Sequence, residues 1–536
     1  MARMTGGEAI VDSLLRHGVD TIFGLPGAQT YGLFDALARQ SNAIRLIGAR
    51  HEQACAYMAL GYAKSSGKPG VFTVVPGPGV LNAAAALCTA FAVNAPVMCI
   101  TGQIPTAFLG QGFGHLHELP DQLATLRSLV KWADRIDDPA LAPGLIAQAW
   151  QAMISGRPRP VALEMPWDMF TNATEVPPQD PLPRLADPLP DPVRIAAAAD
   201  LIKAARAPMI FVGSGAIGAD IRALAERLGA PVASFRGGRG VLDDRHPLAM
   251  TVASGGRIWP EVDLVIGIGT RMEAPGWRWP AARAGQKRIR IDIDPAELRR
   301  GKPDVGILSD ARAAVAALLA ALPGPFTGWA DRVGEVRASV QSDIQAIKPH
   351  IAYLNVLRSL MPDDSFVVDE VCQSAFTAYF GYPIHRPGGF VTSGWQGTLG
   401  AGFPIALGVK VGAPDKKVVS LTGDGGFLFA SNELATAVQH NIGLCTIVFN
   451  NSAYGNVLRD QTQRFAGRVH GAKLHNPDLQ AYAASFGVKS WRVTGPENFR
   501  PAIEAALAES GPTVVEVITD IATEISPWDF ISPGRG

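Results

Sequence analysis

The sequence predicts a protein of three α/β domains, each built on a doubly wound parallel sheet. Short runs rich in Val, Ile and Phe alternate with longer helical patterns along most of the 536 residues. Such continuously apolar strands are typical of sheets that helices cover on both faces. Proline-rich segments divide the pattern into three parts, and the length agrees with about three domains of roughly 100–200 residues each.

The first α/β pattern occupies residues 1–172. Helical patterns at 6–17, 53–64 and 81–91 separate its strands, which end in Gly, Pro or polar residues. The predicted strands are 21–24, 44–48, 71–75, 97–101 and 159–165. Residues 174–192 are dense in proline, which predicts a stiff and extended linker after this domain.

Two further α/β patterns follow the linker. Residues 190–324 form the second predicted domain, and a helical connector leads to the third, which spans 345–536. The strands predicted for the second domain are 208–212, 231–234, 264–267 and 288–293. Those predicted for the third domain are 365–368, 418–421, 445–449 and 514–518.

The composition argues against several classes of protein. Lys and Arg together number 48, as do Asp and Glu, so the chain has no net charge that would attract nucleic acid or an anionic membrane. The five cysteines form no CxxC pair and the ten histidines no HExxH motif, so we expect free thiols and no zinc site. No run reaches the length of a membrane span. We therefore expect a soluble, cytoplasmic protein that binds neither nucleic acid nor membranes.

A glycine-rich turn with a carboxylate ends one predicted strand of the third domain. Asp424 stands in Gly-Asp-Gly-Gly at 423–426, and Asn451 follows the next strand. The carboxyl ends of parallel strands are where open α/β sheets bind ligands. Carboxylate and amide oxygens suit Mg²⁺, and the glycines let the backbone approach phosphate oxygens closely. The pattern predicts a site for Mg²⁺ and a diphosphate.

A second carboxylate, Glu52, stands after the second predicted strand, in Arg-His-Glu at 50–52. An acid at this place either interacts favourably with the dipole of the following helix or takes part in acid–base chemistry. The spacing alone leaves both interpretations open.

Together these motifs resemble those of the thiamine diphosphate enzymes. The chain from Thr5 to about Asp520 is similar to the branch that includes acetolactate synthase, pyruvate oxidase, benzoylformate decarboxylase and benzaldehyde lyase. The resemblance implies a pyrimidine-binding, a middle and a diphosphate-binding domain, in that order. It also implies thiamine diphosphate and Mg²⁺ as cofactors. A homodimer or homotetramer is expected, with the active site between the first domain of one chain and the third domain of another.

The resemblance also implies roles for single residues in holding the cofactor and its metal. Asp424, the Asn451 side chain and the Ala453 carbonyl would ligate the metal. Further cofactor contacts are expected from Cys372, Gln373, Gly425, Gly426, Tyr454 and Gly455.

Three more residues are expected at the rings of the cofactor. Glu52 would hydrogen-bond N1′ of the aminopyrimidine and so act as a catalytic residue. Leu399 would bend the cofactor, and the Gly397 carbonyl would accept a hydrogen bond from the 4′-amino group. A glycine-rich turn with a purely structural role stays open for this last segment.

The segment 111–118 carries the residues expected to act on the substrate. Its His117 stands where the synthases and benzaldehyde lyase have a glutamine, and with Gln111 it is expected to bind a carbonyl or to move a proton. A histidine packed under the pocket without a titrating role stays open. The substrate pocket is expected to include Ala28, Gln29, His115, Val457 and Leu458.

The chain lacks the catalytic histidines of two related decarboxylases, and their absence favours carboligation over simple decarboxylation. Val75 and Pro76 stand where benzoylformate decarboxylase has its catalytic histidine, and the paired histidines of pyruvate decarboxylase are absent. We expect a carboligase or lyase similar to acetolactate synthase, which acts on a 2-oxo acid or acyloin with an aldehyde or ketone acceptor. A benzoylformate-type decarboxylase, a 2-hydroxyacyl-CoA lyase and a non-catalytic, cofactor-binding paralogue stay open.

A glycine motif in the middle domain fits a dinucleotide fingerprint only in part. Residues 213–218 read Gly-Ser-Gly-Ala-Ile-Gly after a strand, but the next strand ends in Ser-Phe-Arg at 234–236 rather than in an acid. The resemblance implies a middle domain that holds FAD in some relatives and no FAD in others. FAD is therefore the less favoured alternative for this chain.

Overall fold

A computed structural model describes residues 1–533 and contains three six-stranded sheets. Every pairing within these sheets is parallel. This confirms the predicted fold class, and we call the three units the first, middle and third domains. Their predicted boundaries stay predictions, and 534–536 of the predicted third domain lie outside the described residues. No helix within residues 1–533 is both long and apolar enough to cross a bilayer.

The first domain combines one six-stranded sheet with a small antiparallel pair. Its strands are β1 (Ala2–Thr5), β2 (Thr21–Gly24), β3 (Arg45–Gly48), β4 (Gly70–Val74), β5 (Val97–Gln103), β6 (Trp132–Arg135), β7 (Val161–Pro166) and β8 (Ala173–Val176). Its helices are α1 (Gly6–Arg16), α2 (Tyr31–Arg39), α3 (Glu52–Ser66), α4 (Pro78–Ala92), α5 (Gln122–Leu129), α6 (Ala142–Ile154) and α7 (Trp167–Thr171).

The middle domain is a single sheet with helices, and a helix leads from it to the third domain. Its strands are β9 (Pro208–Val212), β10 (Val232–Ser234), β11 (Ala249–Met250), β12 (Leu264–Ile268), β13 (Lys287–Asp292) and β14 (Val305–Leu308). The helices are α8 (Pro192–Ala204), α9 (Ile221–Leu228), α10 (Val252–Ile258), α11 (Pro295–Gly301), α12 (Ala311–Ala321) and the connecting α13 (Ala330–Asp343).

The third domain contains the strands that precede the predicted metal residues. Its strands are β15 (Phe366–Asp369), β16 (Phe390–Val391), β17 (Val418–Gly423), β18 (Cys445–Asn450), β19 (Lys489–Val493) and β20 (Thr513–Ile518). Its helices are α14 (His350–Leu360), α15 (Gln373–Gly381), α16 (Gly402–Gly412), α17 (Asp424–Leu428), α18 (Leu434–Gln439), α19 (Gly455–Arg464), α20 (Leu479–Ser485), α21 (Pro496–Ala508) and α22 (Trp528–Ile531).

The first and third sheets share one strand order. They run β3-β2-β4-β5-β7-β6 and β16-β15-β17-β18-β20-β19, whereas the middle sheet runs β11-β10-β9-β12-β13-β14. In the first sheet the chain goes from β2 to β3 on one side and then to β4 on the other side of β2. In the third sheet it goes from β15 to β16 on one side and then to β17 on the other side of β15. The crevice at such a reversal is where open α/β sheets bind ligands. It lies between β2 and β4 in the first domain and between β15 and β17 in the third.

The linker begins later than the sequence predicts. Residues 173–176 form β8, which pairs antiparallel with β1. Thr5 at the end of β1 then caps α1 and exchanges hydrogen bonds with Glu8 in a capping box. Both strands are short and most of their residues are exposed or half-buried, so a search for continuous apolar runs overlooks them.

The first and third domains meet through helices α3 and α16. Residues 54–63 of α3 are all buried, as expected for a helix without a polar face. The two backbones touch at glycines. A Cβ added at Gly61 would lie 2.0 Å from the carbonyl oxygen of Ile405, and one added at Gly408 would lie 2.0 Å from that of Met58. The approach therefore requires glycine on both helices.

Replacing Gly408 tests this contact. We expect Gly408→Ala to lower the free energy of unfolding by about 1–3 kcal/mol, because the new methyl group overlaps the backbone of α3. Gly144 in α6 is the matched control, since a Cβ there meets no atom within 4 Å. We expect Gly144→Ala to keep or raise the stability, by up to about 1 kcal/mol. Urea unfolding followed by circular dichroism measures both, and equal stability of Gly408→Ala and wild type would contradict the close approach.

Candidate active site

Three loops of the third domain meet at the strand reversal of its sheet. They follow β15, β17 and β18. A Cβ added at Gly426 would lie 2.8 Å from Cγ of Glu370, and one added at Gly425 would lie 2.6 Å from the Tyr454 ring. The glycines thus allow the loops to touch, and they bring several of the predicted metal and cofactor residues into one neighbourhood.

Asp424 opens α17 and is only 2% exposed. Burial raises the pKa of its carboxyl group, because the ionised form loses water there. Nδ2 of Asn476 donates to Oδ2 of Asp424 over 2.6 Å and to Oδ1 of Asn450 over 3.0 Å. The N–H of Ala453 also points at the Asp424 carboxylate. A cation beside this carboxylate would offset the cost of burying its charge.

Asn451 has an amide oxygen without a hydrogen-bond partner among residues 1–533. This Oδ1 atom is buried, whereas Nδ2 donates to both carboxylate oxygens of Glu524 over 3.2 Å. The following loop is fixed because the N–H of Tyr454 donates to the Ala472 carbonyl over 2.8 Å. A buried polar atom without a partner is costly unless a ligand satisfies it.

This donor set fits the Mg²⁺ that the resemblance implies. The described part of the chain holds no group of three His, Cys, Asp or Glu side chains suited to a metal. Asp424, Asn451 and the carbonyl of Ala453 instead provide oxygen atoms only. Such a set, completed by phosphate and water oxygens, is typical of Mg²⁺ rather than of zinc.

The loop after β15 borders the same crevice. A Cβ added at Gly423 would lie 3.1 Å from Cβ of Cys372, and burial raises the pKa of the Cys372 thiol to about 12. Oε1 of Gln373 is buried and has no partner among the described residues. Gly455 lies against Asn451, since a Cβ there would be 2.9 Å from Nδ2. The predicted cofactor residues are therefore close to the predicted metal ligands.

Glu370 belongs to the loop whose Cys372 and Gln373 are predicted to contact the cofactor, although the sequence assigns Glu370 no role of its own. It is 2% exposed, and burial raises the pKa of its carboxyl group to about 7. It accepts the N–H of Gly402 over 2.8 Å and that of Val371 over 3.2 Å, and so joins the loop after β15 to the start of α16. The sequence signal for a role of Glu370 is its position as an acid directly after a buried strand.

Gly397 and Leu399 lie on a turn just before α16. Gly397 and Gly400 have left-handed backbones, with φ of 58° and 79°, which favour glycine. Thr398 Oγ1 lies 3.3 Å from Thr89 Oγ1 on α4 of the first domain. Gly397 is exposed and Leu399 is half-buried, so both are accessible to a ligand.

Glu52 is the first residue of α3, and its side chain is 15% exposed. Nδ2 of Asn82 on α4 donates to its carboxylate over 2.9 Å. The turn before Glu52 is held by the third domain of the same chain. The N–H of Arg50 donates to the carboxylate of Glu433 over 3.1 Å, and the N–H of Gly48 donates to Nε2 of His440 over 3.0 Å.

Glu52 and the metal residues are not brought together within one chain. Among residues 1–533, no hydrogen bond joins Glu52 to Asp424, Asn451 or the turn at 397–400. The third domain meets the Glu52 turn through Glu433, which is completely buried. Burial raises the pKa of this carboxyl group, while Thr436 and the N–H groups of the turn oppose the shift.

The predicted substrate loop packs on the crevice of the first domain. Nε2 of Gln29 donates to the carbonyl of Leu116 over 2.6 Å, so Oε1 faces His117, whose Nδ1 lies 2.7 Å away. This oxygen only accepts hydrogen bonds, so Nδ1 of His117 is the donor in this contact, and Nε2 is the other ring nitrogen. The loop also rests on Gly77, where a Cβ would lie 2.4 Å from the His117 carbonyl.

The remaining predicted pocket residues differ in placement. The Gln111 side chain is exposed and donates to the Ala107 carbonyl over 2.5 Å, within its own loop. His115 stacks on Phe108 with ring centroids 4.7 Å apart. Among the others, Val457 is 50% exposed, whereas Ala28 and Leu458 are half-buried.

The glycine motif of the middle domain lines a cavity of about 420 Å³, which residues of the first and third domains also line. Gly213, Gly215, Arg236, Arg271 and Asp292 are among its lining residues. The neighbouring strand β10 ends at Ser234, so the position of the acid in a dinucleotide fingerprint is not acidic. Whether the middle domain binds FAD or lacks it stays a prediction.

Profiles of known families match all three domains. Residues 4–125 match the N-terminal TPP binding domain of thiamine pyrophosphate enzymes, residues 195–318 match their central domain, and residues 370–517 match their C-terminal TPP binding domain.

Curated relatives match along almost the whole chain. A probable 2-ketoarginine decarboxylase of Pseudomonas aeruginosa is 34% identical over 530 residues, covering 96% of this chain and 94% of the relative. A probable acetolactate synthase large subunit of Methanocaldococcus jannaschii is 32% identical, covering 99% and 94%. The acetolactate synthase isozyme 1 large subunit of Escherichia coli is 30% identical, covering 99% and 96%. The chain is thus an enzyme of the thiamine pyrophosphate family, in which the acetolactate synthases are among its relatives.

Proposed function

We propose that this enzyme uses Mg²⁺ with thiamine diphosphate to join or split a carbon–carbon bond beside a carbonyl, in the manner of an acetolactate synthase. Its substrates are a 2-oxo acid or acyloin and an aldehyde or ketone acceptor. The observation that carries the proposal is the buried Oδ1 of Asn451, which has no hydrogen-bond partner in the described residues 1–533 and lies in the loop whose Ala453 N–H meets the Asp424 carboxylate. Together with the crevice glycines, it supports a cation–diphosphate site.

The third domain holds the cofactor in this proposal. Asp424, Asn451 and the Ala453 carbonyl bind Mg²⁺ through oxygen atoms. Gly425 and Gly426 would hold the diphosphate, because the absence of side chains leaves their backbone N–H groups accessible. When bound, thiamine diphosphate supplies a carbon nucleophile for the substrate carbonyl, and Mg²⁺ neutralises part of the diphosphate charge.

Residues near the cofactor rings would position these rings and transfer protons. Glu52 holds a proton at N1′ of the aminopyrimidine, and Asn82 orients its carboxylate through the 2.9 Å hydrogen bond. The Gly397 carbonyl would accept a hydrogen bond from the 4′-amino group, and Leu399 would support the cofactor rings from its half-buried position. Nε2 of His117 accepts a proton from the substrate oxygen, or returns it.

The apolar turn in the first-domain crevice favours ligation. Val75 and Pro76 are buried there and have no proton to give, whereas release of an aldehyde requires protonation of carbon. The relatives named as acetolactate synthases also support ligation. Decarboxylation of a 2-oxo acid is the second candidate, because a relative named as a probable 2-ketoarginine decarboxylase is 34% identical.

A second copy of the chain completes the site in this proposal. Among residues 1–533 of one chain Glu52 has no hydrogen bond to the residues proposed to hold the cofactor, and the turn before it is bound to its own third domain through Glu433 instead. A homodimer is therefore the smallest active unit, with two equivalent sites.

Incubation with pyruvate tests the reaction. We expect proton NMR to show loss of pyruvate and formation of acetolactate when thiamine diphosphate and Mg²⁺ are present, and no turnover after chelation of the metal. Acetaldehyde as the only product would favour the decarboxylase instead. Untouched pyruvate would exclude it as donor, and 2-ketoarginine would be the next substrate to test.

Mixing two inactive variants tests whether the site lies between chains. We expect Glu52→Gln alone to lose activity by about 10²–10⁴-fold, the range of general acid–base catalysis, and Asp424→Asn to lose it with the metal. Co-expressed in equal amounts, they should recover about a quarter of the wild-type activity, because half of the dimers are hybrids with one intact site of two. Recovery no greater than in the single variants would place Glu52 and Asp424 in one site of one chain.

A further inference from the structure

A buried polar cluster lies behind Asn451, on the side away from the crevice. Its centre is Glu524, whose side chain is 1% exposed. Thr519 Oγ1 donates to Oε1 of Glu524 over 2.7 Å. Nε2 of His350 lies 3.6 Å from Oε1, and a guanidinium nitrogen of Arg459 lies 3.8 Å from Oε2. The carboxylate thus has three neighbours besides Asn451, of which Arg459 is a cation.

The backbone fixes where Glu524 stands. It follows β20 in the C-terminal segment, and its N–H donates to the carbonyl of Asp520 over 3.2 Å. The next N–H, that of Ile525, donates to the carbonyl of Lys348 over 3.0 Å, just before α14. The carboxylate therefore faces Asn451 from a supported position rather than from a free tail.

An asparagine side chain is nearly symmetric in shape but not in polarity. A carboxylate only accepts hydrogen bonds, so the atom of Asn451 that meets Glu524 must be the N–H donor, Nδ2. Both oxygens of Glu524 lie 3.2 Å from it. Consequently Oδ1 points the opposite way, where it is buried and has no partner in residues 1–533.

We propose that Glu524 is a positioning residue for the metal site: its carboxylate holds the Asn451 amide in the one orientation that turns Oδ1 toward the cation. Glu524 itself does not touch the metal. This inference rests on the proposed function, because it takes Asn451 to be a ligand of Mg²⁺. It adds a residue 73 positions away along the chain, which the motif of the metal ligands does not contain.

Glu524→Gln tests the inference through metal affinity. A glutamine offers both a donor and an acceptor, so it no longer dictates which end of the Asn451 amide faces it. Loss of such support around a metal ligand typically costs 10–100-fold in affinity, so we expect the dissociation constant for Mg²⁺ to rise by about 10–100-fold. Calorimetric titration of Mg²⁺ into the full-length protein with saturating thiamine diphosphate measures it without any turnover.

Two controls separate the possible failures. Glu297→Gln changes a similarly buried carboxylate of the middle domain, which pairs with Arg157 of the first domain, so its Mg²⁺ affinity should equal that of the wild type. Asp424→Asn should abolish Mg²⁺ binding. If Asp424→Asn binds like the wild type, the metal site itself is wrong and both proposals fail. If Asp424→Asn loses Mg²⁺ while Glu524→Gln keeps wild-type affinity, only the role of Glu524 is overturned.

A second pair of variants distinguishes positioning from general destabilisation. In Asn451→Asp two carboxylates face each other, so we expect weaker Mg²⁺ binding than in the wild type. Adding Glu524→Gln removes this repulsion and supplies an N–H donor for the introduced carboxylate, so the double variant should bind Mg²⁺ more tightly than Asn451→Asp alone. The same substitution then weakens binding beside asparagine and strengthens it beside aspartate. Weakening in both backgrounds would indicate a merely structural role and overturn the proposal.

Discussion

The contact of α3 with α16 through two glycines is the constraint on which the site depends. Each helix begins at a predicted site segment: α3 begins at Glu52, and α16 begins just after the turn at 397–400. Because the backbones of Gly61 and Gly408 touch their partners, neither helix can slide without a clash. The start of α3 is also held by Glu433 through the N–H of Arg50. The packing of the first and third domains thus fixes the directions of both segments.

The shared strand order of the first and third sheets explains why chemistry is divided between them. In each sheet the strand order reverses beside the starting strand, and a crevice opens there at the carboxyl ends of the strands. The third-domain crevice provides the oxygen atoms and glycines of the proposed cation–diphosphate site. The first-domain crevice holds Gln29 and His117 joined by a 2.7 Å contact. Two half-sites that lie apart in one chain require a second copy in the proposed arrangement.

The central strands were predictable from sequence, and the strands that were missed lie at sheet edges. β6, β11, β14, β16 and β19 each have a single neighbour in their sheet. An edge strand such as Lys489–Val493 is partly exposed and carries charged residues, so it has no continuous apolar run. Asp424 and Asn451 were recognisable because each directly follows a buried strand. Asn476, Glu433 and Glu524 were not, because each meets its partner 52 to 383 residues away, and no local pattern encodes such a contact.

There is a physical reason why the sequence predicts the metal ligand Asn451 but not Glu524, the residue proposed to orient it. A motif can specify that an amide follows a strand, but it cannot specify which end of that amide faces the crevice. The two ends of Asn451 have nearly the same size, so packing does not distinguish them, and the choice falls to a neighbour of defined hydrogen-bonding type. An acceptor-only group such as Glu524 makes that choice, provided that neighbouring groups support its buried charge, and here Arg459 and Nε2 of His350 lie 3.8 and 3.6 Å from it. The orientation of a neutral ligand therefore depends on a buried anion, and that anion depends on residues from two other segments of the third domain.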